Sequence, residues 1–315
     1  MPDTRARGYS PWPHRFALAT AASTLVLIFV GGLVTNTGAG LAVPDWPTTF
    51  GYNMFLFPWS QMVGGVFYEH SHRLIGSIVG LLTLALAFVL WVREPARALR
   101  WLGVAAVGAV IIQGVLGGLR VILISTGSEL AVIHGLLAQA FFALTVSLVV
   151  CTSQEWKYTP RQVLVADAGA IKRLCLQTTG VVYLQIFLGG MLTHIGDWFL
   201  VHLFCAALIT FHAWRLAQRL LWLQMNQAKL VWPVTLLVGL LVLQLLLGLG
   251  SYVNRFTSVE IPYAVFSRLA LPTTHRITGA LMLAACIVLT LRVYRLLASR
   301  QTLGSQELLA EQVRA

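Results

Sequence analysis

A chain of 315 residues in which 57% are apolar and only 10% are charged departs from soluble domains, where roughly 25% of residues are charged. The formal charge of +11 would suit a nucleic-acid binder, but the positive-inside rule accounts for it as orientation in a membrane, and nucleic acid is excluded as a partner. Apolar runs of the roughly 17 to 25 residues that a helix needs to cross hydrocarbon exclude an open sheet and make this an all-α integral membrane protein.

Taken in chain order, these runs predict eight transmembrane helices near 16–35, 72–92, 101–121, 130–151, 174–194, 199–221, 230–252 and 273–297. The first follows Arg5, Arg7 and Arg15 as a secretory leader would, yet its length and the spans behind it make it a retained helix. Residues 36–68 then form a long outer loop holding Trp46, Phe50, Phe57 and Trp59, which reads either as an interfacial belt or as a lid over an apolar ligand. The third span carries Gln113 and ends in Arg120, and the charge pattern requires it. A polar loop, 152–173, separates the fourth and fifth spans; a second aromatic outer loop, 253–272, precedes the eighth; a polar tail runs from Ser299.

With the N-terminus inside, the inner segments collect Arg93, Arg97, Arg100, Lys157, Arg161, Lys172, Arg173, Arg215, Arg219, Lys229, Arg292, Arg295, Arg300 and Arg314 besides the first three arginines. Only Arg73, Arg120, Arg255, Arg268 and Arg276 stay outside, so a multi-pass protein of the cell membrane, the inner membrane of a bacterium, with both termini cytoplasmic is expected. Cys151, Cys175, Cys205 and Cys286 lie in or at the ends of spans without a CxxC pair, so neither disulfides nor zinc are expected.

Weak internal repetition links the halves. Gly31-Gly32-Leu33-Val34-Thr35 closes the first span as Gly189-Gly190-Met191-Leu192-Thr193 closes the fifth, and Gln113 precedes Gly117 as Gln244 precedes Gly248. Four spans per half give a parallel repeat, read as two four-helix bundles: 1–151, a cytoplasmic linker at 152–173, 174–298, and a tail at 299–315. The glycines are read as permitting close helix approach.

His72, His134, His202 and His275 each fall in the first or second turn of an even-numbered predicted span. Even spans run from outside to inside, so four imidazoles stand near the outer face at matched depth, two per half. A six-coordinate haem needs two axial ligands at one depth, which pairs His72 with His134 and His202 with His275 as iron ligands. The partial positive charge of a helix N-terminus also favours the neutral, iron-binding imidazole. The competing reading, interfacial polar side chains, weakens when four occupy equivalent places. His70 and His194 are near the outer face without counterparts, and His14 and His212 lie on the inner side.

Arg73 and Arg276 each follow a proposed ligand and point roughly 100° away from it, placed either to meet haem propionates or to snorkel to the interface. Among the outward acids Asp45, Glu69, Glu129, Asp197 and Glu260, Glu69 shares a helical face with His72 if that helix starts a turn early. There it serves a substrate carbon or proton, or is a helix N-terminal acid and nothing more.

These residues resemble the haem A synthases. The likeness rests on Gly38-Ala39-Gly40-Leu41, Pro44-Asp45-Trp46-Pro47, Glu69-His70-Ser71-His72-Arg73, His134, His202 and His275-Arg276, and covers about 16–297. The resemblance implies oxidation of the C8 methyl group of haem O to the formyl group of haem A, used in terminal oxidases. It also implies a reaction site of Glu69, His72 and His134 holding the substrate haem in the N-terminal half. His202 and His275 would ligate haem b in the C-terminal half, with a haem O synthase as donor and an electron donor of unspecified kind. Many bacterial members carry a cysteine pair in an outer loop; this chain has none there. The main alternative is a two-haem cytochrome b that only transfers electrons. A transporter fits less well because mid-span charges are nearly absent, and a haem O synthase because no spaced aspartate cluster occurs.

Overall fold

The computed structural model describes residues 9–158, 162–222, 228–259 and 263–299, and within them eight helices are long and apolar enough to cross a membrane. They are α1 (Trp12–Asn36), α2 (Gly65–Arg93), α3 (Arg97–Ile122), α4 (Gly127–Thr152), α5 (Ala168–His194), α6 (Phe199–Trp222), α7 (Ala228–Phe256) and α8 (Ala264–Leu296). Every expected span is present, and the chain is an all-α, multi-pass membrane protein. Arg5, Arg7, Arg161, Glu260, Arg300, Arg314 and the tail beyond Ser299 lie outside the described residues.

Helix neighbours close two rings. α1 and α3 each pack on α2 and α4, while α5 and α7 each pack on α6 and α8; α8 also meets α1 and α4, and α4 meets α5. The seam between the halves is therefore built from α1 and α4 on one side and α8 and α5 on the other. Away from the histidines, Ile171, Leu216, Leu230, Leu237 and Leu289 fill the core of the second half, and all four cysteines are free. The same end is tied by ion pairs, Lys157 to Glu94 at 2.8 Å and Arg292 to Glu155 at 3.0 Å. Two-residue strands β1 (Val163–Leu164) and β2 (Leu297–Ala298) pair in parallel and bind the inter-half loop to the end of α8.

Two helices start well before the expected position, which changes the turn of the helix on which their histidines fall. α2 begins at Gly65, because the polar run from Tyr68 to Arg73 finds partners inside the protein and need not lie in an aqueous loop. α8 begins at Ala264 and runs through Pro272. Proline removes one intrahelical hydrogen bond and commonly marks a helix start, but here α1 braces that turn: Asn36 Nδ2 donates to Thr273 Oγ1 at 2.8 Å. His202 alone stays in a first turn; His72, His134 and His275 lie about two to three turns inside their helices. A helix terminus acts within its first turn, so its field does not reach those three rings.

Candidate functional site

Each of the four expected ligands lies half-buried against the helix that precedes its own, and the contact falls on a glycine. A Cβ placed on Gly31 of α1 would stand 3.1 Å from His72 Cε1, and one on Gly248 of α7 would stand 3.1 Å from His275 Cε1. The corresponding distances are 3.4 Å from Gly189 of α5 to His202 and 3.6 Å from Gly117 of α3 to His134. These glycines thus make room for imidazole, a closer role than helix approach in general.

One turn before each glycine stands the residue that meets the same histidine. The Leu27 backbone approaches His72, and Gln113 meets His134, its side-chain amide donating to the His134 carbonyl at 3.2 Å. Gln185 Nε2 donates to His202 Nε2 at 3.1 Å, and Gln244 Nε2 to His275 Nε2 at 3.2 Å. His275 Nδ1 donates in turn to the Gln244 carbonyl at 3.1 Å, which fixes the tautomer whose Nε2 keeps its lone pair. His72 lies within electrostatic range of His134, and His275 within range of His202, so the two rings of each half share one neighbourhood. Sequence reasoning missed Gln185, although its spacing from Gly189 repeats that of Gln113 from Gly117.

The first half carries further equipment. Residues 37–64 fold over its histidine end, held by Arg73: Nη1 donates to the carbonyls of Asp45 at 2.7 Å and Thr48 at 3.0 Å, and Nη2 to the Val43 carbonyl at 3.1 Å. Nη2 also pairs with Glu69 Oε1 at 2.8 Å, while Glu69 Oε2 accepts the Val43 N–H at 2.9 Å. Glu69 is 5% exposed and His70 1%; His70 Nδ1 bonds Thr49 Oγ1 at 3.1 Å and its ring lies against Phe57. Because α2 starts early, Glu69 and His72 do share a helical face. Arg73 is committed to the loop in this arrangement, and its guanidinium faces backbone rather than open space.

Asp45 shapes the turn of that loop. Its carboxylate accepts the Thr48 hydroxyl and the amides of Phe50 at 2.7 Å and Gly51 at 2.9 Å, both residues standing at positive φ. Partial burial works against the charge, but these donors outweigh it and hold the carboxyl below its ordinary 3.8. Trp46 packs flat on Gly118, where any Cβ would fall within the indole. The loop tip, Phe55, Leu56 and Trp59, remains exposed. At the other end of the molecule His14 Nδ1 bonds the Val149 carbonyl at 3.0 Å and His212 lies 3.4 Å from Thr178 Oγ1, apart from the four rings.

The residues fit haem. Nδ1 of His72, His134 and His202 and Oε1 of Gln113, Gln185 and Gln244 are buried without a hydrogen-bond partner, a concentration that native interiors do not leave without cause. Among the described residues no three His, Cys, Asp or Glu side chains gather as a metal site. Paired imidazoles without a third protein ligand suit an iron whose other four donors belong to a macrocycle.

A family model described as cytochrome oxidase assembly protein matches residues 14–313. A heme A synthase of Shouchella clausii is 30% identical over 182 residues, covering 57% of this chain and 58% of that protein. One of Alkalihalophilus pseudofirmus is 27% identical over 146 residues, 46% and 48% of the two chains. One of Methylobacterium radiotolerans is 23% identical over 222 residues, 62% and 59%. The matched stretch thus spans less than two thirds of the length of these relatives.

Proposed function

Because the chain belongs to the family of cytochrome oxidase assembly proteins, we propose that it catalyses the oxidation of the C8 methyl group of haem O to the formyl group of haem A, destined for terminal oxidases. The observation that carries this reading is an asymmetry: of two glycine-seated histidine pairs, only one stands beside a buried carboxylate among the described residues. A pure two-haem electron carrier gives no reason for Glu69 at one pair alone.

In this reading His72 and His134 hold the substrate haem O, and His202 and His275 hold a haem b cofactor. Haem iron, when bound, supplies one-electron redox chemistry. Glu69 keeps free lone pairs beyond the two donors it already meets, so its carboxylate either takes a proton or offsets positive charge developing at the substrate carbon. Arg73 pairs with that carboxylate and holds it in place. The folded loop, with Trp46 on Gly118 and Phe57 on His70, keeps water from the reacting edge. The charge bias puts both termini in the cytoplasm and the histidine end at the outer face of the cell membrane. A haem O synthase then delivers substrate through lipid, and a separate electron donor serves the second half.

Pigment extraction from membranes co-expressing the chain with a haem O synthase tests this reading. Wild type accumulates haem A; Glu69→Gln, which preserves the shape of the side chain, retains haem and forms no formyl product. Undiminished haem A in that variant would remove Glu69 from the chemistry, and absence of haem A with wild type, haem being bound, would favour the electron-transfer cytochrome.

A further inference from the structure

Among the described residues at this end of the molecule, Arg120 and Arg276 stand half-buried without an ion-pair partner. Arg120 ends α3 one turn after Gly117, which seats His134, and its guanidinium lies against the loop at Gly40, where a Cβ would stand 2.8 Å from Nη2. Arg276 follows His275 in α8 but reaches across the seam: Nη1 donates to Thr35 Oγ1 of α1 at 3.2 Å, and its Cδ lies against Gly32. Both guanidinium groups thus lie along the end of α1 and the turn behind it, between Gly32 and Gly40, within electrostatic range of each other and of His194. Among the described residues neither has a carboxylate within ion-pair distance. Glu69, the acid whose field reaches Arg120, is already paired with Arg73.

Two half-buried cations that repel each other are costly unless an anion completes the site. We propose that Arg120 and Arg276 form one carboxylate-binding site on the seam between the halves, occupied by the propionates of bound haem. The ligand's identity rests on the function proposed above. Arg120 belongs to the half of His72 and His134, whereas Arg276 belongs to the half of His202 and His275. A guanidinium fork matches a carboxylate bidentately, and two forks from opposite halves hold propionates of both porphyrins in one cationic patch. Phosphate oxygens of a lipid headgroup offer the same chemistry, but Arg120 stands one turn from the glycine that seats His134 and Arg276 one residue from His275, which ties the patch to the porphyrin.

The purified full chain, stripped of pigment in detergent, is titrated with ferric protoporphyrin IX and with its dimethyl ester, followed by the Soret band. The free acid binds at least about tenfold more tightly than the ester, the size of one lost charge-assisted contact. In the Arg120→Gln/Arg276→Gln double variant that preference disappears, while lysine at both positions restores part of it. Equal affinity of wild type for acid and ester, with His202→Ala/His275→Ala still reducing the amount of porphyrin bound, overturns the arginine site and leaves the haem reading standing. Failure of wild type to bind either porphyrin overturns both. The wild-type comparison needs no variant, so a double variant that misfolds does not shield the proposal. If phosphatidylglycerol raises the melting temperature of porphyrin-free wild type but not of the double variant, and acid and ester bind alike, the patch belongs to lipid instead.

Discussion

At the histidine end of the first half, His72 meets the backbone of Leu27 and lies beneath a loop pinned by Arg73, with the Glu69 carboxylate one turn away. At the same end of the second half, His202 and His275 each accept an amide hydrogen from a glutamine, no such loop covers them among the described residues, and Tyr263, Val265 and Phe266 stand exposed. The glycine seats are common to both. A shared scaffold thus presents imidazoles in one geometry; on the proposed reading the surroundings of each pair decide what the bound group does, the Gln244 carbonyl orienting His275 for a resident cofactor and a covered carboxylate equipping the other pair for chemistry on a substrate.

The sharpest way to break this comparison is at Arg73. Arg73→Met leaves Glu69 buried and unpaired and removes the donors of three loop carbonyls, so a loss of about 3–5 kcal/mol is expected. Unfolding in detergent reads the loss, and proteolysis confined to residues 37–64 locates it; haem held by His202 and His275 stays bound. Equal loss of pigment from both halves would show that the loop is not a device of the first half.

The glycine seats test what the halves share. Gly31→Ala and Gly248→Ala force a Cβ to 3.1 Å from imidazole, and each is expected to cost about 1–3 kcal/mol and to perturb the spectrum of its own half. Gly117→Ala, with 3.6 Å available, is expected to be mild. Similar spectra for all three would refute the steric role.

A smaller effect separates the glutamines from Leu27. Gln244→Leu removes the amide that occupies the His275 Nε2 lone pair in the porphyrin-free protein, a hydrogen bond worth about 0.5–1.5 kcal/mol that iron must displace, and is expected to tighten pigment retention in the second half. Leu27→Gln is expected to loosen it in the first, and retention during gel filtration compares them.

The smallest effect is at Asp45, where the ionised carboxylate accepts the loop amides. Its contribution is complete above the ordinary value of 3.8 and fades as pH falls through the lowered value. Trp46 fluorescence should hold steady down to pH 3.8 and change below it; a transition near neutrality would point to another group.

All eight helices were legible because hydrocarbon thickness forces a run of apolar residues that composition cannot hide. The starts of α2 and α8 were not, since Glu69, His70 and Arg73 look like loop residues until their buried partners are known, and Pro272 resembles a helix start. The four histidines could be read from their spacing. The hold of Arg73 on the loop could not, for its partners are backbone carbonyls 25 to 30 residues distant, which no side-chain pattern announces. Arg120 looked like a stray outer charge, and only the neighbourhood of Arg276 and His194 gives it meaning.

The central claim is that these histidines ligate iron as two distinct pairs. Low-temperature electron paramagnetic resonance of the purified chain and of four single alanine variants tests it directly. The account predicts that His202→Ala and His275→Ala each remove the low-spin signal of the resident haem, while His72→Ala and His134→Ala spare it and abolish only the signal gained on adding substrate haem. A resident signal unchanged in all four variants, or lost equally in all four, would contradict it.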